Sequence, residues 1–209
     1  MGVMRVLLIG GTSNVGKSTV ARELADGLGF AYRSTDGLAR HPGRPWRTPE
    51  REVPAHVTEH YAALTVEELT ECVLGHYERL RPRVEELIAA HADEDGTGPG
   101  LVLEGSALLP DHVARLLSSG TGSGTGAVWL TADVSVVRAR VHAAGQYDAA
   151  TPSERLVMDK FVARSERFQN IVLDAVDRLG LIRLDVGDGR PVVEVADAVL
   201  DAVDVRDRR

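Results

Sequence analysis

The sequence has a single cysteine, Cys72, among 209 residues. A disulfide within the chain is therefore impossible, as is a zinc site built on cysteines. Such sparing use of cysteine points to a reducing compartment, the cytoplasm. Aromatic residues make up only 4%, so few rings are available to sandwich a nucleobase. No apolar run approaches the ~20 residues of a membrane span. Positive charge is outnumbered, with 24 Lys and Arg against 31 Asp and Glu. The resulting net charge of −7 argues against a general nucleic-acid binder. The opening MGVMRVLLIGG is apolar but runs into a glycine loop, which reads as a first strand and not a signal peptide. Val6 also breaks the N-myristoylation pattern.

Hydrophobic residues reach 44% and charged ones 26%, a globular composition. The length suits one domain, 1–209, acting on its own or as a homodimer. One region runs against the acidic balance. Between Arg33 and Arg51, five arginines face only Asp36 and Glu50. A basic patch on an acidic protein suggests a small anionic partner.

Strands and helices alternate along the chain. Residues 4–10 form a continuous apolar run, as in a strand buried on both faces. Residues 17–28 read as a helix and the stretch near 30–33 as a short strand. A Pro, Gly and Arg-rich loop covers 37–53. Pro54 opens a short helix to Leu64, and Thr65 with Glu68 caps a longer one to about Ala90, which Pro82 should kink or divide. Strands are expected at 101–105, 127–131 and 181–186. Helices should follow from Pro110, from Asp133 to about His142, from Thr151 to Leu179, and over 191–203. SSGTGSGTG at 118–126 reads as a flexible surface loop, and DVRDRR as a frayed tail. The alternation implies an α/β fold: three layers, with a five-stranded parallel sheet and helices on both faces.

Gly11-Thr12-Ser13-Asn14-Val15-Gly16-Lys17-Ser18, followed by Thr19, matches G-x-x-x-x-G-K-[ST], the Walker A pattern or P-loop. A strand leads in and a helix leads out. Gly11 and Gly16 permit backbone angles that side chains disfavour. The loop N–H groups then converge on phosphate oxygens, aided by the helix N-terminus. Lys17 should reach the β- and γ-phosphates, and Ser18 should ligate Mg²⁺. The cofactors expected are ATP and Mg²⁺. No N/TKxD motif of GTPases and no LSGGQ signature is present.

Acceptor chemistry should gather at the same strand edge. Asp36 follows the second strand and could take a proton from a hydroxyl acceptor or hold Mg²⁺ through water, or could simply cap a turn. Arg40, Arg44 and Arg47 could grip an anionic acceptor or form a solvated loop. Trp46 packs over the acceptor or anchors that loop. Glu104 and Gly105 end the third strand, where Glu104 could hold a metal-bound water or bond the acceptor. On the long helix after Thr151, Lys160, Arg164 and Arg167 form a basic stripe beside an apolar one of Val157, Phe161, Phe168, Val172 and Leu179. Arg164 or Arg167 could clamp the transferring phosphoryl group as a lid closes. Of Arg138 and Arg140, Arg138 is favoured to stack on the base. The expected acceptor cover spans about 37–90 and the lid about 143–167.

Together these features resemble the adenylate-kinase-like superfamily of P-loop kinases. IGGTSNVGKSTVA, VLEGSALLP and FVARSERFQNIVLDAVDRLGLIRLDV are locally most similar to 2-phosphoglycerate kinases. The resemblance implies a P-loop kinase fold with a lid, and ATP-dependent phosphotransfer with Lys17, Ser18 and Asp36 in the family's roles. The favoured acceptor is a small anionic hydroxylated metabolite. Nucleoside, nucleotide and antibiotic-alcohol kinases share the ground plan, and a non-catalytic ATP-binding regulator is the reading outside the class. The HPGRPW loop and the glycine-rich insertion have no counterpart in the pattern. One competing motif, His56-Val-Thr-Glu59-His60, matches H-x-x-E-H of inverted zinc proteases. It lies inside the kinase pattern and lacks a third ligand.

Overall fold

A computed structural model describes residues 4–39, 44–48, 52–92, 98–119 and 124–207, with side chains described as far as 203. Five strands form one parallel sheet: β1 (Val6–Gly11), β2 (Ala31–Ser34), β3 (Leu101–Glu104), β4 (Thr125–Thr131) and β5 (Ile182–Asp185). Their order is β2-β3-β1-β4-β5, with β1 central. That position explains its unbroken apolar sequence: Val6, Leu7, Leu8 and Ile9 are each 1% exposed or less.

Alternate residues of β1 feed two cores. Leu7 and Ile9 join a cluster that includes α1 (Lys17–Leu28), α5 (Val134–Ala144) and α7 (Val192–Asp207). Val6 and Leu8 join one built with α3 (Val66–Ala92) and α4 (Pro110–Ser118). Helices thus cover both faces, as the strand–helix alternation predicts. The 27-residue α6 (Pro152–Arg178) serves both cores. Val157, Met158, Phe161 and Val162 belong to the first, and Phe168, Val172 and Val176 to the second. Its start is set by Thr151 and Glu154, each of which caps the other's backbone N–H. The small α2 (Ala55–Ala63) packs against α6.

Three local expectations change. Pro82 does not divide α3, which is one helix of 27 residues. Proline costs that helix a hydrogen bond, but Val73, Tyr77 and Leu80 before it and Val84 and Ile88 after it are all buried in one core. Packing on both sides keeps the helix whole. The glycine-rich stretch is shorter than its composition suggests, because Thr125 and Gly126 already pair with β1. The tail does not fray from Asp204; α7 stays helical to Asp207. The segment expected as a lid, 143–167, consists of the end of α5, a 3-10 turn at Tyr147–Ala149 and the first half of α6. No helix among the described residues is long and apolar enough to cross a membrane.

Candidate functional site

The parallel strands all end at one edge, where the sequence analysis places its chemistry. β1 runs into the phosphate loop. Asn14 and Gly16 take positive φ, 63° and 104°, and turn the chain into α1. The helix begins at Lys17 with no side-chain cap and no acidic residue in its first turn. Its N-terminal N–H groups and positive dipole end thus suit an anion. Thr12 Oγ1 donates to Ser165 O at 3.1 Å, fastening the loop to α6.

Lys17 is only 8% exposed. Its Nζ donates to Thr12 O at 2.6 Å and to Ser106 Oγ at 3.4 Å. Burial holds its pKa below the ordinary lysine value, and Arg44 adds to that, while Glu104 and Asp36 oppose it. Ser106 in turn donates to Gly11 O at 2.9 Å. Ser18 Oγ donates to Glu104 Oε1 at 2.9 Å, and Tyr32 OH donates to the same oxygen at 3.0 Å. The register explains the meeting: Glu104 pairs with Ser34 and Val102 with Tyr32. Tyr32 and Glu104 therefore stand on one face of neighbouring strands. Glu104 is only 3% exposed, and its contact with Ser18 places it on the phosphate-loop side.

A hydroxyl, a carboxylate, a buried ammonium and an uncapped helix start are a hard-oxygen and cationic set. That donor chemistry fits Mg²⁺ and polyphosphate. Ser18 and Glu104 would hold the metal or its waters, and the phosphate loop with Lys17 would hold the phosphates.

These groups open on a cavity of about 980 Å³. Residues 13–19, Asp36, Arg44, Glu104 and Ser106 all line it. Asp36 sits exposed on a 3-10 turn directly after β2, and its N–H is capped by Ser34 Oγ at 3.3 Å. Gly105 makes that approach possible. It has φ 150°, and a Cβ there would lie 1.7 Å from Thr35 Oγ1.

Several expected residues lie elsewhere. Arg40 falls outside the described residues. Arg47 faces a second, smaller cavity and lies 3.8 Å from Glu154 in an ion pair. Trp46 anchors its loop: it is 2% exposed and meets Phe161 edge-on, with ring centroids 4.9 Å apart. Arg138 is exposed and absent from the main cavity wall, whereas Arg140 lines it and donates to Asn14 O at 3.1 Å. Arg167 is drawn to the surface by Glu67, at 2.7 Å.

Arg164 behaves differently. It is 3% exposed, lies 4.5 Å over the Phe161 ring and reaches Tyr61 OH at 3.5 Å. Its Nε has no hydrogen-bond partner among the described residues. None of the ion pairs among the described residues gives this buried guanidinium a carboxylate, a setting that suits an anion. Lys160 is spent on structure, donating to Ala62 O and Leu64 O at 2.8 Å each. The basic stripe thus mainly clasps the corner between α2 and α3 to α6.

Four residues near or on the cavity wall had not been singled out from the sequence: Tyr32, Tyr77, Ser106 and Arg190, while Arg140 had been weighed but ranked behind Arg138. Tyr77 from α3 and Arg190 after β5 line the cavity, the latter beside Val186, Val192 and Val195. Arg190 was discoverable, since it follows a strand at the ligand edge. His56 and His60 share α2, but no group of three His, Cys, Asp or Glu able to hold a metal is gathered among the described residues.

No family model matches the chain, and no curated protein sequence matches it. Solved structures do match. A gluconokinase from Sinorhizobium meliloti 1021 aligns with TM-score 0.52 and 18% identity, over 98% of this chain and 94% of the other. A shikimate kinase from Acinetobacter baumannii, in complex with shikimate, aligns at 0.51 and 16%, over 98% and 94%. Shikimate kinase from Aquifex aeolicus vf5 gives 0.50 and 14%, over 95% and 96%. The chain has the P-loop kinase fold. At these identities the likeness extends to the fold and no further.

Proposed function

We propose that the protein is an ATP- and Mg²⁺-dependent kinase that phosphorylates a hydroxyl of a small anionic metabolite, with a 2-phosphoglycerate-like acceptor favoured. The observation that carries this reading is the meeting of Lys17, Ser18 and Glu104 at the start of α1, on the wall of the cavity that Asp36 also lines. Bound Mg–ATP supplies the phosphoryl group. Lys17 offsets phosphate charge from within the loop. Ser18 and Glu104 hold the metal side. Asp36 accepts the proton of the acceptor hydroxyl, a task for which its exposed carboxylate on the cavity wall is suited. Arg164 steadies the transferred group, and Arg44 on the wall attracts the acceptor's own charge.

The positive charge of Arg44 on the cavity wall, and of Arg164 stacked on Phe161 of that wall, favours an anionic acceptor over an antibiotic alcohol or nucleoside. The test is acceptor-dependent ADP release across 2-phosphoglycerate, other hydroxy acids, nucleosides, nucleoside monophosphates and antibiotic alcohols. A hydroxy acid or phosphate ester should be the best acceptor. A neutral alcohol turned over faster would overturn the acceptor class. ATP binding without any acceptor-dependent release would favour a regulator.

A further inference from the structure

Glu104 accepts two protein hydrogen bonds, and both fall on one oxygen. Ser18 Oγ donates to Oε1 at 2.9 Å and Tyr32 OH to the same atom at 3.0 Å. No described residue donates to Oε2. The two donors differ in what else they must do. Ser18 stands where a metal ligand is needed, so its oxygen has a second task. Tyr32 comes from β2, outside the phosphate loop, and its phenolic proton is committed to Glu104.

The ring is itself fixed. Arg22, one turn after Ser18 on α1, places its guanidinium 4.9 Å from the Tyr32 ring centroid. The strand register sets the other coordinate, because Tyr32 and Glu104 share a sheet face on adjacent strands. A carboxylate pinned at one oxygen in this way cannot swing, and its second oxygen keeps one direction.

We propose that Tyr32 is a positioning residue for the metal side of the site: it pins Glu104 through Oε1 so that Oε2 is presented to Mg²⁺ or its waters. This inference rests on the proposed nucleotide and Mg²⁺ site. Partners that orient metal-binding groups from behind govern metal affinity in general.

The experiment is calorimetric binding of a non-hydrolysable ATP analogue as Mg²⁺ is titrated, using wild type, Tyr32→Phe, Glu104→Gln and the double variant. Tyr32→Phe removes one hydroxyl and keeps the ring under Arg22. It should leave analogue affinity in EDTA unchanged and raise the Mg²⁺ midpoint about 10-fold. The double variant should be no worse than Glu104→Gln alone, as expected if Tyr32 acts through that carboxylate. A Mg²⁺-dependent wild type with an unchanged midpoint in Tyr32→Phe overturns the inference alone. Fully additive effects in the double variant also overturn it. A wild type whose analogue affinity ignores Mg²⁺ overturns the metal-site reading and the inference with it.

Discussion

The two halves of the cavity are built in different ways. On the proposed nucleotide side, consecutive residues 11–18 shape the loop, and the next partner, Glu104, ends the neighbouring strand β3. On the proposed acceptor side, Asp36 follows β2 and Tyr77 comes from α3, while Arg164, mid-way along α6, stacks behind the wall residue Phe161 without lining the cavity itself. One side is a local backbone device; the other is an assembly of distant elements. The difference teaches where charge can be interpreted. Loop residues have their roles set by the backbone they belong to. Arginines outside that loop have theirs set by whichever acid or carbonyl lies opposite: Glu67 claims Arg167 on α6, and Glu154 claims Arg47 in the segment before α2.

The strongest way to break this contrast is Lys17→Ala. Turnover should fall by about 10³-fold or more, since charge stabilisation dominates phosphoryl transfer. A loss below tenfold would show that the loop does not carry the chemistry. Asp36→Asn comes next. It should cost about 10²–10⁴-fold in kcat while analogue binding stays intact, the pattern of a lost general base. Weakened analogue binding with normal kcat would instead assign Asp36 to the metal.

Arg164 and Arg167 sharpen the comparison within one helix. Arg164→Ala should lower kcat/KM by about 10²-fold, as for loss of a buried charge-stabilising donor. Arg167→Ala breaks only an exposed pair and should stay within about twofold in activity and 1 kcal/mol in stability. Equal effects would mean that burial does not distinguish the two. The smallest effect concerns shape. Gly105→Ala should destabilise the fold by about 1–3 kcal/mol in urea unfolding, because its Cβ would press on Thr35. An unchanged midpoint would show that the turn after β3 has room to shift.

The fold was legible because its signals are local. The apolar run of β1, the Thr151–Glu154 cap of α6 and the loop glycines each fix their element by themselves. That Pro82 leaves α3 undivided could not be read locally, because burial on both sides of it is a tertiary fact. The acceptor side was legible only in part. Asp36 and Glu104 follow from strand ends, which the alternation locates. Tyr32 and Tyr77 read as ordinary strand and core residues, because their hydroxyl partners lie far away in sequence. Arg138 and Arg140 flank the buried Val137 and Val141 symmetrically on α5, so helical spacing alone could not choose between them; the bond from Arg140 to Asn14 O does. Arg164 carried a local signal. It lies three residues after Phe161 and four before Phe168, inside the buried stripe, whereas Arg167 is rotated off it.

The central claim is that the phosphate loop and Asp36 serve one reaction across a shared cavity. Its most direct measurement pairs acceptor-dependent ADP release with analogue affinity in wild type, Lys17→Ala and Asp36→Asn. In wild type a small anionic hydroxy compound should drive ADP release. Both variants should abolish that release, with Asp36→Asn still binding the analogue normally. Acceptor-dependent release that survives in Asp36→Asn at the wild-type rate would contradict the account.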